Sequence, residues 1–158
     1  MPTPIYMSIN DGGVEGSVEI AGREGTVEII EAHHDVHIPT DIHTGASTGV
    51  RQHGRFSVRA AIDKATPYLY KAVSEGEQYD TVKFSFFKID ELGTEVEYYT
   101  VLLEKVRVAS VSLDVPNVKN ASKEHYPHMM EYNFVYGKIT WTWTDGTLEH
   151  TDDWVAAR

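Results

Sequence analysis

The sequence predicts a mainly β domain: a β-barrel or tightly packed sandwich of antiparallel strands carrying one flanking α-helix. Three observations carry that reading. Apolar residues recur at every second position in several separate runs, two of those runs change phase partway, and a single stretch, Thr66 to Glu75, has helical spacing between clear start and stop signals. Side chains two apart in a strand share a face, so a period-two run is a half-buried strand. The chain has 158 residues, which reads as one domain, 1–158. A domain of that length buries about 70% of its unfolded surface and needs no disulfide or metal to fold.

Taken in order, Ile5 to Ile9, Val14 to Ile20 and Gly25 to Ile38 are the first predicted strands. Pro39 to Gly54, rich in Thr, Gly, Ser and His, is the longest loop. Loops above about 12 residues are usually functional or mobile. Phe56, Val58, Ala60 and Ile62 then alternate with Ser57 and Arg59 as a half-buried strand. In the helix (about 66–75), Thr66 is placed to cap, Pro67 suits the first helical position and Gly76 the position after the last turn. Leu69, Tyr70 and Val73 form its expected apolar face.

Val82, Phe84 and Phe86 alternate with Lys83 and Ser85, whereas Val96 to Leu103 is apolar on both faces towards its end, as in a strand covered on both sides. Val106 and Val108 start one face, but Val111, Leu113 and Val115 continue on the other. Tyr132, Phe134 and Tyr136 give way in the same manner to Ile139, Trp141 and Trp143 across Gly137. A one-residue slip is what a β-bulge produces, and bulges bend strands where sheets curve. Both runs are therefore read as long, bent strands.

Charge and composition exclude several classes. The 24 acidic and 14 basic residues give a net charge of −10, which repels phosphate backbones and anionic membranes. No cysteine is present, so a disulfide framework, a thiolate zinc site and a Cys nucleophile are all ruled out. The N-terminal Met1-Pro-Thr-Pro-Ile-Tyr lacks the basic and apolar regions of a signal peptide, so any export is expected by another route.

Candidate chemistry is sparse. Gly45-Ala46-Ser47-Thr48-Gly49 has the spelling of a nucleophile elbow, but that motif needs a sharp strand-to-helix turn and here leads from a loop into a strand. His33, His34, His37 and His43 cluster with Asp35 and Asp41, ligand types for zinc or nickel. If Gly25 to Ile38 is one strand, His33, Asp35 and His37 share a face at about 6.6 Å per step, leaving the two imidazoles about 13 Å apart. That is too far to grip one ion, so exposed strand-face histidines are the expectation. His125 and His128 carry as little weight. The carboxylate pairs Asp90 with Glu91, Glu95 with Glu97 and Asp152 with Asp153 read as a solvated acidic face. The Asn120-Ala-Ser122 sequon has no meaning without a secretory signal. Trp141 and Trp143 read as core side chains before a sugar-stacking platform. No catalytic residue, metal or cofactor is expected; a β-barrel ligand-binding module and a metal-dependent hydrolase at His33 and Asp35 stand as alternatives.

Several segments together resemble a known family. They are Met1-Pro-Thr-Pro-Ile-Tyr, Ile38-Pro-Thr-Asp41 before a Thr- and Gly-rich loop, Arg51-Gln-His53 with Phe56, and Asp63-Lys-Ala-Thr-Pro67 with Leu69-Tyr70 and Gly76-Glu77. Tyr98-Tyr-Thr-Val-Leu102, Lys138-Ile-Thr-Trp141 and Asp152-Asp-Trp154 complete the set. In order and spacing they are similar to the haemolysin-coregulated proteins (Hcp), the tube proteins of type VI secretion systems; Val14 to Glu31 has no residue-by-residue match. The resemblance implies a β-barrel with a flanking helix assembled as a hexameric ring. Such rings stack into a tube inside a sheath, meet a spike protein at the tip, and hold effectors in the lumen. The tube is made in the bacterial cytoplasm and then ejected. It further implies that the loop carrying Thr40, Asp41, Thr44, Gly45, Ser47, Gly49, Arg51 and His53 lies between stacked rings, and that no cofactor is required.

Overall fold

The structure, a computed structural model, describes residues 3–145 and 148–154; Met1 and Pro2 of the N-terminal match lie outside them. The longest strand organises the fold. β8 (Glu95–Asp114) pairs along one edge with β7 (Gln78–Ile89) and along the other with two shorter strands, β9 (Met129–Val135) and β10 (Lys138–Trp143). β1 (Ile5–Ile9) lies beside β7, β2 (Val27–Ile29) beside β1, β6 (Phe56–Ala61) beside β9, and β3 (Glu31–His33) beside β6. β11 (Leu148–Asp153) extends β10, and β4 (Val36–His37) with β5 (Gln52–His53) forms a separate ribbon. All these pairings are antiparallel.

One phase slip marks a bulge within a strand, while the other, read as a bend in a single strand, is a break between two strands. On β8 the register against β9 skips Ala109, between Val108 opposite Phe134 and Ser110 opposite Asn133. The two predicted strands over Val96 to Val115 are thus one strand with a bulge. The run Tyr132 to Trp143 follows a single edge of β8 but is two strands, parted at Tyr136-Gly137, where the Gly137 N–H donates to Glu104 O at 3.0 Å.

Two expectations are corrected. Val14 to Ile20 is not a strand: Gly16 N–H bonds Gly25 O, Gly25 N–H bonds Val18 O and Val18 N–H bonds Thr26 O, so the segment folds onto its own return leg. Gly16 permits this, since a Cβ there would stand 2.2 Å from Thr26 O. Gly25 to Ile38 is three pieces rather than one. Val27 and Ile29 are buried, Ile30 swings out to 53% exposure, and its N–H donates to Arg59 O at 2.8 Å as pairing passes from β1 to β6. The ladder is therefore not closed. Its two end strands, β2 and β3, are consecutive in the chain and meet across Ile30.

The helix α1 (Thr66–Glu75) stands where it was predicted, ended by Gly76 at φ +67° with its N–H on Ala72 O. Its start differs. Thr66 does not cap; Asp63 Oδ1 accepts the Ala65 N–H at 2.9 Å while the Asp63 N–H donates to Thr66 Oγ1 at 3.0 Å. Thr66 Oγ1 also bonds the buried Tyr132 hydroxyl at 2.8 Å, tying helix to sheet. The buried face is Thr66, Leu69 and Ala72, and Tyr70 is exposed on the other side. The small Ala72 lets the backbone approach β8. Phe56 stacks on Phe84 at 4.3 Å between centroids and Phe134 meets Phe84 edge-on, with Met7, Leu103 and Ile139 filling the remainder of the core.

Candidate functional site

The loop Pro39 to Gly54 is the upper part of a hairpin arm running from Val36 to His53. β4 and β5 form its base, Val36 opposite His53 and His37 opposite Gln52. Thr40 and Ser47 form a bridge above them, and Thr48 N–H bonds Pro39 O at 2.8 Å. At the tip Asp41 Oδ1 accepts the N–H groups of His43 (2.7 Å) and Thr44 (3.1 Å), while Gly45 at φ +72° turns the chain. Asp41 N–H to Ala46 O and Gly45 N–H to Asp41 O, each 2.8 Å, close the tip, and most of the arm's side chains above the root are exposed. Ile42 is 90% exposed and Val50 79%. A lone two-stranded ribbon is marginal in water, so its direction depends on how its root is held.

The root is held by a polar chain. Arg51 donates two hydrogen bonds to the Asp152 carboxylate, from Nε at 2.7 Å and Nη2 at 2.6 Å. His53 Nε2 lies 2.8 Å from Asp152 Oδ2, and its Nδ1 lies 2.8 Å from the Tyr136 hydroxyl. His34 Nε2 reaches the same hydroxyl at 2.6 Å. Trp154 stacks on the His53 ring at 5.1 Å, and the His53 side chain is 0% exposed. A carboxylate only accepts, so His53 Nε2 carries a hydrogen. With neutral imidazoles one ordering follows: His34 N–H donates to Tyr136 O, Tyr136 O–H to His53 Nδ1, and His53 N–H to Asp152. Burial pushes the Tyr136 hydroxyl well above its ordinary range, helped by the Asp152 charge. Burial also lowers the His34 pKa, with His53 adding to it, and the Arg51 hydrogen bond holds the Asp152 pKa below its usual value.

Of the residues expected in this loop, Thr40, Asp41, Thr44, Gly45 and Ser47 form the bridge and tip, Gly49 stands on the return leg, and Arg51 and His53 turn back into the root. Sequence reasoning placed His34 only in a candidate metal cluster, Tyr136 only on a strand face and Asp152 on a solvated acidic face, whereas the structure joins all three at the arm's root. The only hints are Tyr136 beside the phase change at Gly137, and the Asp152-Asp-Trp154 triplet.

The other candidates come apart. Ser47 pairs within the arm, away from any strand-to-helix turn. The shared face of His33, Asp35 and His37 does not form, because the strand breaks after His33. His37 meets Asp35 at 3.3 Å in a partly exposed contact while His34 turns to Tyr136. Among the described residues no group of three or more acidic or histidine side chains is arranged to hold a metal. Trp141 packs against the core and stacks on His150 at 5.9 Å, but Trp143 is exposed, its edge against Tyr98.

Residues 6–143 match the family described as type VI secretion system effector, Hcp. The chain belongs to that family. The Hcp family is one of structural tube proteins of type VI secretion, not of enzymes. A relative named major exported protein, from Pseudomonas aeruginosa, is 30% identical, with 98% of this chain and 96% of that one aligned. Among solved structures, a doubly mutated Hcp1 of Escherichia coli EAEC 042 is similar at TM-score 0.81 and 38% identity, covering 98% of this chain and 99% of its own. Secreted protein Hcp3 of Pseudomonas aeruginosa is similar at TM-score 0.78 and 27% identity, covering 97% and 99%.

Proposed function

We propose that this chain builds the inner tube of a type VI secretion system, as hexameric rings whose arms, Val36 to His53, couple one ring to the next. The observation that carries the coupling role is the arm itself. It is a hydrogen-bonded hairpin with Ile42 and Val50 in solvent, fixed at its root by Arg51 and His53 on Asp152. Exposed apolar side chains on a rigid projection gain free energy only when another surface covers them. In this reading the tube starts in the bacterial cytoplasm, bears the spike, runs inside the sheath and leaves the cell with effectors in its lumen. The test replaces 40–47 with a two-glycine turn, followed by native mass measurement and negative-stain imaging. Rings of unchanged mass with filaments shortened or lost are expected. Filaments of normal length would overturn the role of the arm, and a strictly monomeric unaltered chain would overturn the tube itself.

A further inference from the structure

The hydrogen-bond chain at the arm's root has a property that its ordering exposes. With both histidines neutral, His34 Nε2, the Tyr136 hydroxyl and both His53 ring nitrogens all have partners. A first proton on His53 makes Nδ1 a donor, and the chain adapts: Tyr136 rotates its hydrogen toward His34, which accepts at Nε2 in its other tautomer. A second proton cannot be absorbed. Two imidazolium N–H groups then face one Tyr136 oxygen, 2.6 and 2.8 Å away, and the Tyr136 hydrogen is left without either acceptor. The His53 side chain has no exposed surface and Tyr136 is 4% exposed, so bulk solvent has little access to replace the lost bond.

We infer that Tyr136 and Asp152 are positioning residues of a lock that fixes the arm, and that acid opens the lock by protonating both histidines that share the Tyr136 oxygen. Only its consequence for stacking rests on the coupling role proposed above. The surrounding charges leave the second proton uncompensated. Asp152 on β11 is already engaged by Arg51, and Asp35 is drawn to His37. His33 stands beside His34 on β3, and Lys105 and Arg107 of β8 line a cavity of about 450 Å³ that His53 and Tyr136 share. His150 on β11 faces Trp141 of β10, and Asp153 follows Asp152 at the end of β11. Both partners of the arm, Tyr136 and Asp152, belong to the body of the domain. Arg51 and His53 stay on Asp152 in acid, so the second proton breaks the Tyr136 contacts and loosens the arm at its root without touching the core ladder of β7 and β8.

The experiment is hydrogen exchange on the full chain, with amide protection factors corrected for intrinsic rate, at pH 7.5 and pH 5. Arm amides at 36–53 should lose protection by about tenfold or more in acid, while those of β7 and β8 hold. His34→Gln keeps a polar partner for Tyr136 and cannot take the second proton, so its arm should stay protected at both pH values. Tyr136→Phe should leave the arm weakly protected at both. Equal protection of the unaltered arm at the two pH values would overturn the lock, as would an equal acid loss in His34→Gln. Filaments imaged on the same samples separate the two ideas. An arm released in acid with filaments intact overturns the coupling role and leaves the lock standing.

Discussion

Asp152 holds two side chains from the arm with one carboxylate, and both consequences are measurable. Removing it as Asp152→Ala leaves Arg51 half-exposed and His53 buried with a donor unmatched. Hydrogen bonds to a charged group contribute about 1.5–3 kcal/mol, and partial solvent screening brings the expected loss to about 2 kcal/mol. At a fixed protein concentration that lowers the melting temperature by about 4–8 °C for a domain of this size. The pH dependence has two stages. The folded pKa of His34 is lowered, so its neutral form stabilises the fold above the unfolded value of about 6.5, and this contribution is lost as pH falls below it. The folded pKa of Asp152 is lowered too, so its contribution persists down to about 3.9 and is lost as pH falls further through the folded value. Melting temperature should be flat from pH 7 to 8, decline below about 6.5 and decline again below about 4. His34→Gln should abolish the first decline alone. In the core, Phe84→Ala removes the ring between Phe56 and Phe134 and should cost about 3–5 kcal/mol by denaturant unfolding.

At the scale of elements, Lys105 on β8 is held at φ +55° in the left-handed region, four residues before the bulge at Ala109. There the second edge of β8 passes from β10, whose Lys138 lies opposite Glu104, to β9, whose Val135 lies opposite Arg107. A side chain in that region costs about 1–2 kcal/mol, which glycine avoids while adding an entropy cost of about 0.5–1 kcal/mol. Lys105→Gly should therefore stay within about 1 kcal/mol of the parent, while β-branched Lys105→Val should lose about 1–2 kcal/mol. Equal losses in both variants, read as denaturant midpoints at constant slope, would mean that β8 does not depend on that backbone angle. The positions of the bulge and the break were legible in the sequence because a phase slip is a local signal: Val108 to Val111 and Tyr136 to Ile139 each change face within a few residues. The helix was legible for the same reason, through Pro67 and Gly76. Its cap was misplaced because Asp63 and Thr66 are both capping types. The break at Ile30 was hidden, since an isoleucine turned to solvent leaves an apolar run unbroken. The loop 39–54 could be read from its composition, but the two short strands at its base and its root could not. Arg51 and Asp152 are 101 positions apart, and no periodicity links residues that distant.

For the whole molecule, the dominant long-range term is charge. In the proposed tube each added copy would bring a further net charge of −10, set against apolar contact from Ile42 and Val50 of the arm. Apolar burial is little affected by moderate salt, whereas repulsion between like-charged subunits is screened over about 30 Å at 0.01 M and about 8 Å at 0.15 M ionic strength. Several of the cations are engaged within the chain: Arg23 with Glu95, Arg51 with Asp152, Arg59 with Asp114 and Glu131, and Lys138 with Glu104. They are four of the 14 Lys and Arg residues, and all 14 together fall ten short of the 24 acidic ones, so like charge dominates between copies. Assembly should therefore strengthen with salt, the reverse of binding to nucleic-acid phosphates, which weakens as counterions compete. Native mass distributions at one subunit concentration, taken from 10 mM to 300 mM sodium chloride, should shift from smaller species toward rings and stacks, with most of the change below about 150 mM, where the screening length falls fastest. A shift toward smaller species would mean that ion pairs between copies, not covered apolar surface, hold the assembly together. Acidic surface residues such as Glu19 and Glu28 would then be the partners to test by charge reversal.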